Sequence, residues 1–258
     1  MMKEFQRHID ACNNATLPGG RTRLLIGTAP VGWVEPRVAE AMLERHDGDM
    51  SGDDLVLRDA ASLPRIAREL SQRGFYRFRN EAFDVREAPG GPALSTIDRG
   101  ALPAFGVMAE GVHLNGLVQR PDGLHLWVAR RAADKALDPG KLDNLAAGGV
   151  SAGMTAWETL IKESSEEATI PADLAAQARH VGELSYSMMR PEGLRRDLLH
   201  CYDLDLPEAF VPSAADGEVE SFELWPIARA YAAVRDTDDF KFNVSLVLID
   251  LFDRLGML

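Results

Sequence analysis

Leu124, Leu126 and Val128 alternate with His125, Trp127 and Ala129, so a strand over 124–130 turns two different sets of side chains to its two faces. Residues 107–119 form another such run, and Pro121-Asp122-Gly123 between the two predicts a hairpin turn. The runs 182–189 and 196–204 predict a second hairpin, broken at Pro191-Glu192-Gly193. A further strand is expected over 219–224, then helices over 226–235 and 241–256. The first hundred residues are patterned differently. A short helix within 4–14 is stopped by Pro18-Gly19-Gly20, and strands are expected at 23–27 and 31–34. Pro36 suits the start of a helix over 35–46, and 63–72 is an amphipathic helix closed by Gly74. Short strands at 83–85 and 94–97 flank Pro89-Gly90-Gly91-Pro92, and the Asp- and Gly-rich stretch 47–54 reads as a solvated loop. The pattern changes at Leu102-Pro103. We therefore expect a small α+β domain over 1–102 and a second domain over 103–258.

The candidate chemistry lies in residues 148–170. A glycine turn containing Gly148, Gly149 and Gly153 leads into a helix carrying Glu163, Glu166 and Glu167. These stand at i, i+3 and i+4, so they share a helical face. Carboxylates that close repel one another unless cations lie between them, and Mg²⁺ is the natural partner for such oxygen ligands. Glutamates at this spacing are most often a solvated face. Two features favour the metal: an apolar stripe of Trp157, Leu160, Ile161 and Ala168 that docks the helix, and glycines that let backbone approach a ligand.

Composition narrows the classes. The 258 residues are 46% hydrophobic, enough for a sizeable core, and the net charge of −12 argues against nucleic-acid binding. No run of 18 apolar residues spans a membrane, and 1–14 lacks a signal-peptide pattern. Cys12 and Cys201 make no disulfide framework and point to a reducing compartment, so a cytoplasmic location is expected. The six histidines are scattered with no His-Glu-x-x-His pair, Ser151 and Ser187 lack a triad context, and Gly148-Gly149 is not followed by the Lys of a phosphate loop. Arg130, Arg131, Lys135 and Lys141 precede the acidic helix and suit either a solvated strand end or contact with phosphates. Trp127 and Trp225 suit either a core or stacking on a ring.

The order of residues resembles the Nudix hydrolase signature. That signature runs Gly, five residues, Glu, seven residues, Arg-Glu, an apolar residue, any residue, Glu-Glu, any residue, Gly and an apolar residue. Aligned on Gly148, the chain has Met154 at the first Glu, then Lys162-Glu163, Ser164, Ser165, Glu166-Glu167, Ala168, Thr169 and Ile170. Spacing is kept, while Lys162, Ser164 and Thr169 replace the Arg, the apolar residue and the last Gly. Phe105-Gly106-Val107, the runs 111–116, 126–131 and 139–149, Asp216-Gly217-Glu218-Val219-Glu220-Ser221-Phe222 and Lys241-Phe242-Asn243 extend the likeness. Together they resemble a subfamily related to the Nudix part of fungal thiamine pyrophosphokinase fusions and to plant homologues, whose members carry an extra N-terminal domain.

The resemblance implies an α/β/α sandwich with a mixed sheet. It implies Mg²⁺ or Mn²⁺ held by Glu163, Glu166 and Glu167 with the Gly148 carbonyl, and a distal acid as base or extra ligand. Glu218 and Glu220 both qualify. In a Nudix fold Arg130, Arg131, Lys135 and Lys141 would face the phosphates, and Trp225 would be a candidate to stack on the substrate. The implied reaction is hydrolysis of a small-molecule diphosphate to monophosphate and phosphate, thiamine diphosphate or its oxidised or toxic analogues above all. Two alternatives stand: ADP-ribose or another nucleoside diphosphate derivative as substrate, and a Nudix-like ligand-binding module without catalysis. No nucleic-acid or membrane partner is expected, and a homodimer stays open.

Overall fold

The computed structural model describes residues 2–135, 137–215 and 217–258, so Asp216 of the resemblance lies outside the described residues. After a short helix α1 (Gln6–Cys12), the chain forms strands β1 (Thr22–Ile26) and β2 (Ala29–Val34), helix α2 (Pro36–Glu44) and strands β3 (Gly48–Ser51) and β4 (Asp54–Leu57). Helix α3 (Leu63–Gln72), strands β5 (Ala82–Val85) and β6 (Ser95–Asp98) and one buried helical turn, α4 (Leu102–Phe105), follow. β1–β4 make a four-stranded sheet in the order β2-β1-β4-β3, and β5 pairs with β6. Leu24, Val34 and Leu55 of that sheet share a core with Met42 of α2, Ile66 and Leu70 of α3, Phe83, Ile97 and Phe105. The stretch 47–54, read as a loop, is instead most of a hairpin. Gly48 to Ser51 pair with Leu57 to Asp54, and only the turn at Gly52, with φ of 60°, is irregular. Its acidic composition misled because the strand is stabilised through its backbone ladder, while Asp49 reaches out to Arg58.

The second half comprises β7 (Met108–Arg120), β8 (Gly123–Arg131), β9 (Leu142–Asp143), β10 (Ala146–Gly149), α5 (Ala156–Ala168), α6 (Ala172–Ala175), β11 (Arg179–Arg190), β12 (Gly193–Asp205), β13 (Val219–Pro226), α7 (Ile227–Asp236) and α8 (Phe242–Arg254). The sheet runs β11-β12-β7-β8-β13, with β10 added on β7 and β9 on β8. β7 and β12 are parallel and the other pairs antiparallel, so the sheet is mixed. Trp127 and Tyr202 pack with Leu160 and Ala168 of α5 on one face, while Leu126 and Val128 pack with Val244 and Leu248 of α8 on the other. The alternation of 124–129 is what feeds both cores of this α/β/α sandwich.

The N-terminal segment crosses between the halves. Phe5 is fully buried among Trp225, Val234 and Phe252, and the His8 ring bonds to the Val234 carbonyl at 2.7 Å. Among the described residues no helix is long and apolar enough to cross a membrane.

Candidate active site

The acidic helix owes its place to its ends. Thr155 caps α5, accepting from the Glu158 N–H, and Glu158 accepts in return from the Thr155 N–H at 2.9 Å. That reciprocal cap fixes the helix start. Gly148 and Gly149 are not a turn, as expected, but part of β10, paired with Val112 and Gly111 of β7. The turn comes later, at Gly153, with φ of 80°. Trp157 is also a correction: it is 40% exposed, its ring tilted against Tyr202 at 6.0 Å, and the docked stripe is carried by Leu160 and Ala168.

Glu163 and Glu167, one turn apart, point at β10. The Glu167 carboxylate is 8% exposed and accepts from the Ala147 N–H at 2.8 Å. Burial pushes its pKa up to about 8; the Ala147 N–H opposes this, while Asp143, Glu163 and Glu218 add to it. Glu163 lies against Gly148, where a Cβ would overlap its carboxyl carbon and stand 2.7 Å from Oε2. Burial raises the Glu163 pKa as well, against the pull of Lys162. Glu166 is more exposed, and the Lys162 ammonium bridges it at 2.6 Å to Glu163 at 3.0 Å. Burial works against the Lys162 charge, yet the two carboxylates hold it above the usual lysine range. Glu218 is about half exposed, and its charge adds to the rise at both Glu163 and Glu167. Burial disfavours its own ionisation, but Lys135, Arg99 and Arg131 hold it below the usual carboxylate range. Glu220 is the extra residue of a bulge between Val219 and Ser221 and is exposed.

Glu163 and Glu167 thus meet at Gly148 of β10, shielded from solvent, with Glu166 on the open side. Residues 112–244 match the NUDIX domain family.

The chain belongs to the Nudix family. It is 35% identical over 274 aligned residues to Nudix hydrolase 20, chloroplastic, of Arabidopsis thaliana, covering 98% of this chain and 73% of that protein. It is 44% identical over 180 residues to Nudix hydrolase 24, chloroplastic, of the same plant, covering 70% of this chain. The chain spans only about half, 49%, of that relative's length. Among solved structures, DR0079 from Deinococcus radiodurans shares the fold at 20% identity and a TM-score of 0.51, over 66% of this chain and 98% of that one.

The basic candidates of this Nudix protein divide between two places. Arg131 is nearly enclosed: it donates to Asp143 at 2.7 Å and to the carbonyls of Asp138 and Leu137. Lys135 donates to Glu218. Arg130, Lys141 and Trp225 instead line a hollow of about 440 Å³ with Arg229 and Asp239, and none of the three glutamates lines it. There Arg130 donates to the Gly140 carbonyl, Lys141 to the Asp238 carbonyl, and Trp225 is 5% exposed beneath the Arg229 guanidinium.

Two contributors were missed in the sequence. Asp143 is fully enclosed, ion-paired to Arg131 and 3.6 Å from Lys241; burial opposes its charge, but Lys241 and Arg131 hold its pKa down. Arg99 arrives from the N-terminal half, its guanidinium 5.9 Å from the Phe83 ring, and Phe83 in turn abuts Gly149. No local pattern marks Arg99, because only the packing of the two halves brings it near Glu218. A cleft of about 430 Å³ also opens between the halves, lined by Phe83 and Arg86 on one side and Met108, Glu110, Val150 and Met154 on the other.

Proposed function

We propose that this Nudix protein hydrolyses the phosphoanhydride of a small-molecule diphosphate, with thiamine diphosphate or an oxidised analogue as the substrate of first choice. The observation that carries the reaction is the convergence of Glu163, Glu167 and the Gly148 backbone, with the charge of Glu218 acting on both side chains. The donor set fits a hard divalent cation. Burial raises the pKa of the Glu163 and Glu167 carboxyl groups, Lys162 offsets this in part at Glu163, and Glu167 accepts from the Ala147 N–H at 2.8 Å, so a bound cation would favour the ionised form of these oxygen donors. Glu163, Glu166, Glu167 and the Gly148 carbonyl would hold Mg²⁺ or Mn²⁺. Bound there, the ion would supply a water of lowered pKa and neutralise charge on the leaving phosphate.

The chain's own groups have distinct tasks. Water oxygen bonds to the terminal phosphorus, the bridging P–O bond breaks, and monophosphate and phosphate leave. Glu218 is our choice over Glu220 to take the water's proton, because its charge already acts on the two box glutamates. Lys135 pairs with Glu218 and is the cation best placed to meet a phosphate oxygen. Arg131 and Lys241 keep Asp143 ionised behind Glu167. Lys162 steadies Glu163 and Glu166 as a point charge, where an arginine would clamp them in two-pronged fashion.

The N-terminal half, 1–102, shapes substrate choice and leaves the chemistry to 103–258. Support comes from the cleft both halves line, which begins one residue beyond the box strand at Val150. We assign this cleft to the organic part of the substrate. The choice of thiamine rests on the subfamily resemblance. A panel of thiamine diphosphate, oxidised thiamine diphosphate, ADP-ribose and nucleoside diphosphates, read by phosphate or monophosphate release, tests it. Preferred turnover of a nucleoside compound overturns the thiamine assignment, and no turnover of any diphosphate with Mg²⁺ or Mn²⁺ overturns the hydrolase reading.

A further inference from the structure

β11 and β12 gather a second set of ligand-bearing side chains away from the box glutamates. Glu183 stands directly opposite His200 in the ladder, with its Oε1 3.1 Å from His200 Nδ1. His180 lies three residues before Glu183, and in a regular strand it would face the other side of the sheet. A bulge between His180 and Gly182 takes up Val181 and turns His180 to the side of Glu183 and His200. One ligand atom from each of the three lies within 4.8 Å of the others. The His180 ring is also braced edge-on by Tyr202, with centroids 5.2 Å apart.

The far side of His200 is held as well. Its Nε2 lies 2.9 Å from Glu110 Oε2 on the neighbouring strand β7. Glu110 accepts the Nε2–H, so when an ion displaces the Nδ1 proton the Nδ1 lone pair is left facing Glu183 and His180. A carboxylate behind an imidazole is the arrangement that orients histidine metal ligands and raises their basicity.

We propose that His180, Glu183 and His200 form a binding site for a divalent transition metal ion of the zinc class, with Glu110 orienting His200. Two imidazoles and one carboxylate select ions that accept nitrogen ligands, whereas the all-oxygen box selects Mg²⁺. The chain thus offers two sites of opposite preference. Three protein ligands leave one coordination position open. Glu110, Glu183 and His200 also line the 430 Å³ cleft, so that position faces the space between the two halves. The inference stands independently of the reaction proposed above.

The test is equilibrium dialysis of the untagged full chain against Zn²⁺, paired with the visible spectrum of the Co²⁺-loaded protein. The double variant Glu163→Gln/Glu167→Gln is expected to keep one tight Zn²⁺ and an unchanged Co²⁺ spectrum. His180→Ala removes an exposed ring, so circular dichroism should be unchanged while Zn²⁺ affinity falls and the Co²⁺ bands collapse. Glu110→Gln should weaken Zn²⁺ about ten- to hundredfold, as the loss of an orienting carboxylate does elsewhere. Should His180→Ala prove poorly folded, Glu183→Gln is read in its place. Zn²⁺ bound equally tightly with or without the His180 ring or the Glu183 charge overturns the proposal. So does loss of Zn²⁺ in the box variant alone, or no tight Zn²⁺ in the unaltered chain.

Discussion

Gly148 has room for a hydrogen and nothing larger. A methyl there collides with the Glu163 carboxyl group, yet the strand around it is ordinary. Gly148→Ala should therefore leave the fold intact and displace Glu163. The expected outcome is weaker Mg²⁺ binding by calorimetry and a drop in kcat, with a circular dichroism spectrum like the parent's. Glu167→Gln preserves shape and removes an ionisable oxygen ligand from the most buried position of the box. We expect kcat to fall about a hundredfold or more, as for loss of a metal ligand acting in the transition state. A kcat close to the parent's would remove Glu167 from the chemistry. Legibility at this scale was uneven. Glu163 and Glu167 could be read from i, i+4 spacing because a helix imposes it. Arg99 and Asp143 could not, since nothing in their neighbours along the chain says what they will meet.

Helix α5 departs from its family's signature at Ser164 and Thr169, and the structure assigns each a consequence. Thr169 ends the helix with φ of 54°, the left-handed position for which glycine is the usual choice. Its hydroxyl donates to the Ser213 carbonyl at 2.7 Å, which offsets part of that strain. Ser164 sits where the signature is apolar. It is fully buried, and its Oγ has no hydrogen-bond partner. Ser164→Ala removes an unpaired buried hydroxyl and raises helix propensity, so unfolding stability should rise by about 1 kcal/mol in a urea titration. A loss of stability would mean that the hydroxyl has a partner the geometry does not show. Elements with strong periodicity, α3 and the β7-β8 and β11-β12 hairpins, were legible because two faces demand two kinds of side chain. β3 and β10 were not. Their residues are small or acidic, and it is the neighbouring strand's backbone that makes them strands.

A chain of buried polar groups ties the second half together. The His113 ring bonds through Nδ1 to Asn144 at 2.8 Å, Asn144 donates to Asn115 at 2.7 Å, and Asn115 donates to Asp203 at 2.9 Å. Burial, reinforced by the Lys241 charge, pushes the His113 pKa from 6.5 down to about 4. Below 6.5 the unfolded chain takes up a proton that the folded chain refuses. Stability from this neutral ring is thus fully present above 6.5 and lost as pH falls toward 4, by up to about 3 kcal/mol. His113→Gln should be less stable than the parent at neutral pH, and the gap should narrow on acidification. A gap constant from pH 7 to 4 would show that the ring is not held neutral. At the same scale, a chelator should abolish turnover and Mg²⁺ should restore it. Arg86→Ala, in the cleft wall furnished by the N-terminal half, should raise KM for the best diphosphate with little change in kcat. An unchanged KM would detach the cleft from substrate choice.

The sequence alone determined what repeats locally: strands from alternation, helices from their apolar stripe, and an acidic helix face from three glutamates on a fixed spacing. Each of these depends on geometry a short segment imposes on itself. Only the tertiary structure distinguished the two distal acids. The bulge after Val219 leaves Glu220 in solvent and the chain's return brings the Glu218 charge to bear on the box. It likewise divided the basic residues, pairing Arg131 with Asp143 and Lys135 with Glu218 and sending Arg130 and Lys141, with Trp225, to the other hollow. It placed Phe5 in the core of the second half, 100 residues and more from its neighbours in the chain. Contacts of such sequence separation leave no periodic trace, because they are selected by burial and charge between surfaces that meet only after folding.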